Sequence, residues 1–497
     1  METNPEQLQA VQAILNHTSL PYPFILFGPP GTGKTFTLVE AVTQLVLLDT
    51  EDVHVLICGP SNSSCDVIAK RLIERIPKEM VRGSVHRLYA SSRQRREVDD
   101  ELIPFSNMDD DGQVSFESRE SLMDYQVIIC TLITAGRLAQ AVFPEGHFTH
   151  LIIDEVSQAT EPDAVVALNA VRKRKGYREP HVILAGDPRQ LGPVVFSPLA
   201  ETNLGTSLLE RLMARPPYVR DVDQPEHYNP SYIVKLKKNF RSHPALLETP
   251  NKLFYDSELE ACADRREVDA FIGHPILKNP KIPLVFHGVQ GRDQKEGRSP
   301  SYFNPEEATL LVTKYVDQIL QSKSPKVKPH EIGIITPYRG QVYKISKLLE
   351  KHGISGITVG TPEEFQGQER KVIMMSTVRS TQEFLQVDRR FNLGFLRNPK
   401  RFNVAITRAR ALMIVVGCPQ ILATDPNWHA LVSFAYTRGC YEGCELPPEV
   451  LEATAPNAPS EPRGLDELLK ILREMNLNPT VAENLASERP LMASREE

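Results

Sequence analysis

The stretch Phe24-Ile25-Leu26-Phe27-Gly28-Pro29-Pro30-Gly31-Thr32-Gly33-Lys34-Thr35 decides the fold of this chain. Its apolar start reads as a buried strand, its middle as a glycine-rich loop, and Phe36 to Leu48 continue as a helical pattern. Strand, glycine loop, lysine, hydroxyl and helix in that order make a P-loop. Gly28, Pro29, Pro30, Gly31, Thr32 and Gly33 form the cradle, whose backbone N–H groups turn inward around phosphate oxygens. The helix N-terminus adds its partial positive charge. Lys34 is expected to reach the β- and γ-phosphates, and the Thr35 hydroxyl to ligate Mg²⁺. The expected ligand is a nucleoside triphosphate.

A chain of 497 residues has room for about three domains of ~150 residues. Its hydrophobic content of 41% and charged content of 24% are those of an ordinary globular protein. No apolar run approaches the ~20 residues of a membrane-spanning helix, so no membrane partner is expected. The polar, acidic opening Met1-Glu2-Thr3-Asn4-Pro5-Glu6 reads as neither a signal nor a transit peptide. Seven cysteines at irregular spacing do not make a disulfide framework, which points to a reducing compartment, cytosol or nucleus. Cys440 and Cys444 lack the second pair that a zinc site needs. A net charge of −6 neither demands nor forbids nucleic acid, because phosphate affinity depends on the groove rather than on the total.

Short Val/Ile/Leu-rich runs alternate with helical patterns. Strands are expected at Phe24–Phe27, Val53–Cys58, Val127–Cys130, Leu151–Ile153 and Val182–Ala185, with helices at Cys65–Arg75 and Pro162–Lys175 between them. Such alternation predicts an α/β fold with a parallel sheet covered on both faces. A proline-rich break, Ala214 to Pro230, precedes a second α/β run. Its strands are expected at Leu284–Phe286, Ile332–Ile335, Thr358–Val359, Val372–Thr377 and Ala411–Val416. The expected division is 1–230, 231–440 and a tail, 441–497, that is partly disordered with one amphipathic helix, Gly464 to Met475. Within the first part, residues about 85–122 read as a charged insertion, a small subdomain or a mobile loop. Gly288 to Pro305 reads as a charged, turn-rich connection.

Leu151-Ile152-Ile153-Asp154-Glu155 is a buried strand ending in two acids, as an ATPase needs beside its P-loop. Asp154 is expected to hold Mg²⁺ and Glu155 to orient and deprotonate the attacking water. Val182-Ile183-Leu184-Ala185-Gly186-Asp187-Pro188-Arg189-Gln190-Leu191 is a further strand with polar residues at its carboxyl end, where parallel sheets bind ligands. From the residues alone, Gln190 as a γ-phosphate sensor and a plain Gly-Asp-Pro turn are evenly balanced.

Taken together, these motifs resemble a superfamily 1 helicase of the Up-frameshift-like group, which moves 5′ to 3′. Asn4 and Gln7 match its adenine-binding motif, and Pro60-Ser61-Asn62 its backbone-contacting Pro-Ser-Asn. Thr131 with Ala135-Gly136-Arg137, and Gly186-Asp187 with Gln190-Leu191, match two more. Asn239-Phe240-Arg241-Ser242-His243-Pro244, Thr336-Pro337-Tyr338-Arg339-Gly340-Gln341, Val359-Gly360-Thr361-Pro362-Glu363-Glu364-Phe365-Gln366-Gly367-Gln368-Glu369 and Asn403-Val404-Ala405-Ile406-Thr407-Arg408-Ala409-Arg410 match the remainder in order. Finer matches resemble the Moloney-leukaemia-virus-ten/Armitage branch of RNA helicases. They are His147-Phe148-Thr149-His150, the run Gly186 to Val194, Phe303-Asn304-Pro305-Glu306-Glu307 and Phe391-Asn392-Leu393-Gly394-Phe395-Leu396.

The resemblance implies two tandem RecA-like domains with a cleft between them, and ATP and Mg²⁺ as cofactors. Lys34, Glu155, Gln190, Arg241 and Arg408 are the implied catalytic set, the two arginines acting as fingers on the γ-phosphate when the domains close. Gln7 then reads adenine and Glu369 the ribose, while Thr35 and Asp154 hold Mg²⁺. Pro60, Ser61, Asn62, Thr131, Thr361 and Gln366 grip the nucleic-acid backbone with little sequence preference. The implied activity is an ATP-dependent RNA helicase or translocase on single-stranded RNA, partnered by ribonucleoprotein or silencing factors. Its expected location is the cytoplasm and its ribonucleoprotein granules. A DNA helicase and an ATP-regulated RNA-binding scaffold are the alternatives; intact Lys34, Asp154, Glu155, Gln190, Arg241 and Arg408 argue against a dead site. The sequence departs from the family pattern at Val156, where alanine is usual, and at Phe240, where tyrosine is common. The adenine motif lies at the chain's start, so a helicase core without the family's stalk and small β-barrel is expected.

Overall fold

Alternate residues of a strand point to opposite faces, and the first sheet uses both. Phe24, Leu26, Val55, Ile57, Val127, Ile129 and Ile183 enter one core, with apolar faces of three helices. Ile25, Phe27, Leu56, Cys58, Ile128, Ile153 and Leu184 enter a second core on the other face. The strands are therefore apolar throughout rather than alternating, as a parallel sheet buried on both sides requires. The computed structural model describes residues 4–48, 53–173, 176, 179–195, 197–221, 227–295, 301–381, 395 and 398–453.

The first sheet has seven strands: β1 (Phe24–Phe27), β2 (Val55–Gly59), β3 (Val85–Arg87), β4 (Val127–Thr131), β5 (His150–Ile153), β6 (His181–Gly186) and β7 (Ile233–Lys235). Their order is β3-β4-β2-β5-β6-β1-β7, and every pairing is parallel. Helices α1 (Pro5–Asn16), α2 (Lys34–Leu47) and α3 (Asn62–Arg75) cover the first face. Two two-stranded pairs follow, β8 (Lys238–Asn239) with β9 (Glu260–Ala261), and β11 (Gln294–Lys295) with β12 (Tyr302–Phe303). The second sheet contains β10 (Leu284–Gly288), β13 (Ile332–Ile335), β14 (Thr358–Gly360), β15 (Arg370–Ser376), β16 (Ala409–Gly417) and β17 (Tyr441–Gly443). Its order is β14-β13-β15-β16-β10-β17, again all parallel. The α/β expectation of parallel, helix-covered sheets holds for both halves.

Residues Met1–Pro447 form one compact unit and Pro448–Glu497 a second, in which Pro448–Ala453 is helical. The first sheet reaches past residue 230: β7 pairs with β1, and Leu247, Tyr255 and Leu259 join its second core. The expected helix Pro162–Lys175 is shorter, Glu161–Leu168. Within the charged insertion, the stretch 91–119 packs on the first core through Val98, Leu102, Ile103 and Met108, leaving its acids in solvent except half-buried Glu117. The anticipated tail helix, Gly464 to Met475, lies outside the described residues, as does most of Phe391–Leu396. All seven cysteines are free thiols. Among the described residues no helix is long and apolar enough to cross a membrane.

Candidate functional site

Parallel strands deliver all their carboxyl ends to one edge of a sheet. At that edge of the first sheet, β1 runs into the P-loop, β5 into Asp154-Glu155 and β6 into Asp187. The loop is folded by its glycines: Gly31 has φ +70° and Gly33 φ +82°, a region open to glycine and strained for other residues. A Cβ on Gly28 would lie 2.6 Å from Lys34 Cβ, and one on Gly31 2.5 Å from Arg241 Cβ. Asn239 donates from Nδ2 to the carbonyl of Pro30 at 2.7 Å, tying the loop to the segment that carries Arg241.

A cavity of about 740 Å³ lies over this edge. Asn4, Gln7, Gly28 to Thr35, Glu155, Gln190, Arg241, Glu369 and Arg408 line it, together with Phe36, Val67, Arg71, Phe240 and Gly367. The structure thus gathers every nucleotide-handling residue expected from sequence except Asp154, which lies just beneath the cavity floor. Asp154 is buried and its Oδ2 is 3.4 Å from Thr35 Oγ1. The six residues expected to grip nucleic acid lie outside the cavity. Pro60 to Asn62 follow β2, Thr131 ends β4, and Thr361 and Gln366 follow β14. Ser61 and Thr131 cap the helices that start behind them, accepting from the backbone N–H of Ser64 and Thr134. Asn62 Oδ1 accepts a 2.8 Å bond from Arg87 Nη2.

The cavity floor is a charge cluster. Lys34 Nζ lies 2.8 Å from Asp154 Oδ1 and 2.5 Å from Glu155 Oε1. Burial alone would lower the lysine's pKa, but the two carboxylates hold it above its ordinary value. Burial pushes Asp154 up against the pull of Lys34. For Glu155 burial acts in the same direction, yet Lys34 and the 2.8 Å bond from Gln158 Nε2 prevail and hold its carboxyl low. Glu155 therefore stays ionised, in a left-handed backbone conformation (φ 53°) that non-glycine residues adopt at a cost.

The far wall supplies cations. Arg408 stands immediately before β16 and is buried. It donates from Nη2 to Gln190 Oε1 at 3.0 Å and from Nε to the carbonyl of Val404 at 2.9 Å. Burial, then the like charge of Arg241, lower its pKa to about 9. Arg241 pairs with Glu369 and donates to the carbonyl of Thr407 at 3.1 Å. Sequence reasoning missed Tyr255. Its buried hydroxyl donates to Asp187 Oδ2 at 2.8 Å and accepts from Asn403 Nδ2 at 2.7 Å. Asp187 Oδ2 in turn accepts from Gln190 Nε2 at 2.9 Å. No local pattern marks Tyr255; only its partners, 68 and 148 residues away, reveal it.

The donor set fits a magnesium nucleotide. A threonine hydroxyl beside a carboxylate offers hard oxygen ligands of the kind Mg²⁺ takes. The glycine cradle leaves room for phosphate at a helix N-terminus.

Two family profiles, each described as an AAA domain, match the chain, one over 2–112 and 92–198, the other over 204–420. The chain is 45% identical over 473 residues to the putative helicase MOV-10 of Gallus gallus, covering 90% of this chain and 48% of that protein. It is 44% identical over 452 residues to the RNA helicase Mov10l1 of Mus musculus (90% and 37%). To the probable RNA helicase armi of Drosophila melanogaster it is 37% identical over 479 residues (90% and 39%). The chain spans about half the length of these relatives or less. Ordered motifs, paired AAA domains and this kinship agree: the chain belongs to the superfamily 1, Up-frameshift-like helicases, on the Moloney-leukaemia-virus-ten/Armitage branch.

Proposed function

We propose that this chain is the ATP-driven motor core of an RNA helicase or translocase, moving 5′ to 3′ along single-stranded RNA. The observation that carries the proposal is one cavity shared by a first-sheet acid cluster and two arginines from beyond that sheet, Arg241 and Arg408. Such an arrangement makes the state of the nucleotide a signal for how the two walls sit, which a motor needs and a metabolic kinase does not.

In this reading Gln7 reads the adenine, Glu369 the ribose, and Lys34 with the P-loop amides holds the phosphates. Thr35 and Asp154 hold Mg²⁺, which neutralises phosphate charge when bound. Glu155 accepts a proton from the attacking water. The water oxygen bonds to the γ-phosphorus, the bond to the bridging β–γ oxygen breaks, and ADP and phosphate leave. Glu155 also orients that water, Gln190 senses the γ-phosphate, and Arg241 and Arg408 stabilise the charge that develops on the γ-phosphoryl oxygens. Pro60, Ser61, Asn62 and Thr131 from the first sheet, with Thr361 and Gln366 from the second, grip the RNA backbone. The relatives' names as RNA helicases support RNA over DNA. Roles in RNA silencing or post-transcriptional control, silencing-factor partners and a place in cytoplasmic ribonucleoprotein granules belong to the same proposal.

The test is ATP hydrolysis by the purified chain alone, with single-stranded RNA and with single-stranded DNA, Lys34→Ala serving as the blank. Strong stimulation by RNA is expected. Stronger stimulation by DNA would move the substrate assignment to DNA, equal stimulation would remove the preference for RNA, and hydrolysis indifferent to both would overturn the motor reading.

A further inference from the structure

Three histidines meet at the amino-terminal edge of the first sheet, the edge away from the nucleotide cavity. His150 opens β5, and His181 opens β6 as its register partner. His17 caps α1 in a left-handed conformation, φ 53°. One ring nitrogen of each lies within 4.8 Å of the other two. The ring centroids are 4.7 Å apart for His17 and His150, 5.0 Å for His17 and His181, and 6.0 Å for His150 and His181. Three imidazoles bound to one tetrahedral ion through bonds of ~2.0–2.1 Å place their centroids roughly 5 Å apart. The rings already hold that spacing.

The neighbouring hydroxyls fix which nitrogen of two rings carries the lone pair. A hydroxyl has one proton to donate. Thr149 Oγ1 gives its proton to the carbonyl of His54 at 3.0 Å and receives the His54 N–H at 3.2 Å. Its 2.9 Å contact with His150 Nδ1 is therefore an N–H donated by the ring. Ser19 Oγ gives its proton to the carbonyl of Tyr22 at 2.8 Å, so its 2.9 Å contact with His181 Nε2 is also a ring N–H. The lone pairs then sit on His150 Nε2 and His181 Nδ1, both shielded from water. Metal-binding histidines are fixed in the same way, the outer nitrogen donating and the inner one ligating.

We propose that His17, His150 and His181 form a Zn²⁺ site that staples the end of α1 to β5 and β6. Neutral imidazoles are the donors zinc accepts readily, and half-buried His17 leaves one side open for a water as fourth ligand. The site bears on the motor reading without depending on it. The first turn of α1 carries Gln7 into the nucleotide cavity, and β5 and β6 lead to Asp154 and Asp187.

Co²⁺ added to the chelator-stripped full chain tests the proposal by its visible absorption. One saturable equivalent is expected, with ligand-field bands of nitrogen coordination, no thiolate charge-transfer band, and displacement by Zn²⁺. His17→Asn should weaken binding at least about tenfold with circular dichroism and ATP binding unchanged, because asparagine tolerates the left-handed conformation. Excess Zn²⁺ should raise the melting temperature of the wild-type chain and not that of the variant. Failure to bind Co²⁺, a thiolate band from the free cysteines, or wild-type affinity in His17→Asn would each overturn the site.

Discussion

The two sheets face the cavity with opposite ends. The first presents carboxyl ends: the P-loop after β1, Asp154-Glu155 after β5 and Asp187 to Gln190 after β6. The second presents amino ends, with Glu369 just before β15 and Arg408 just before β16. Their electrostatics differ in the same sense. The first wall is a self-compensated cluster, with Lys34 within 2.8 Å of both acids. The second wall buries a guanidinium whose polar partners are Gln190, Thr407 and backbone carbonyls. A buried cation with no carboxylate bonded to it is costly, and Glu155 and Glu369 offset the cost of Arg408 only from a distance; an incoming γ-phosphate would relieve it further. On the proposed function, the first wall carries out the chemistry and the second responds to what occupies the cavity.

The sharpest way to break this division is to remove the first wall's base. Glu155→Gln keeps the shape and the bond to Gln158 while losing the proton acceptor, so ATP binding is expected to persist and turnover to vanish. Near-normal kcat would remove Glu155 from that role. Arg408→Ala attacks the other wall. A loss of hydrolysis on the order of 10³-fold with little change in ATP affinity is expected, and unchanged single-turnover hydrolysis would return the residue to a packing role.

A milder probe lies between the walls. Tyr255→Phe deletes one hydroxyl that joins Asp187 on the first wall to Asn403 on the second. RNA-stimulated kcat is expected to fall about tenfold, the equivalent of a ~1.4 kcal/mol buried hydrogen bond, with the KM for ATP within about twofold. Loss confined to melting temperature, with kcat intact, would make the bridge structural only.

The opposed edges also explain what was legible in the sequence. A rule that ligands gather at carboxyl ends of parallel strands finds Lys34, Glu155 and Gln190, because each follows an apolar run closely. Applied to the second half, the same rule leads to Thr361 after β14 and misses Arg408, which precedes its strand; only resemblance to a family brought it in. Tyr255 was invisible because its role is set by two distant partners rather than by neighbours. Of the four three-residue strands among the described residues, β14 was legible and β3, β7 and β17 were not, a run so short showing no period of its own. In the stretch 91–119, the apolar contacts of Val98, Leu102 and Ile103 were masked by the surrounding charge. The helix expected to run to Lys175 stops at Leu168, where Asn169 folds its side-chain amide back on the carbonyl of Val165.

The smallest expected effect concerns how each half buries an acid. Asp154 has Lys34 beside it; Glu307, as deeply buried in the second half, has dipoles. Its Oε2 accepts from Ser376 Oγ at 2.6 Å and from the backbone N–H of Val378 at 2.9 Å. Those bonds lower its pKa, but burial outweighs them and raises it to about 8. A carboxyl whose folded pKa exceeds its unfolded value favours the folded state fully below the unfolded pKa, and that contribution is lost as pH rises through the folded one. Between pH 4.5 and pH 8 the melting temperature should therefore decline with a component owed to Glu307, and Glu307→Gln should flatten it. Parallel profiles for the two proteins would mean that the dipoles around Glu307 already stabilise its charged form as well as water does. The two halves would then differ only in the sign of what they show the nucleotide, and not in how they tolerate a buried charge.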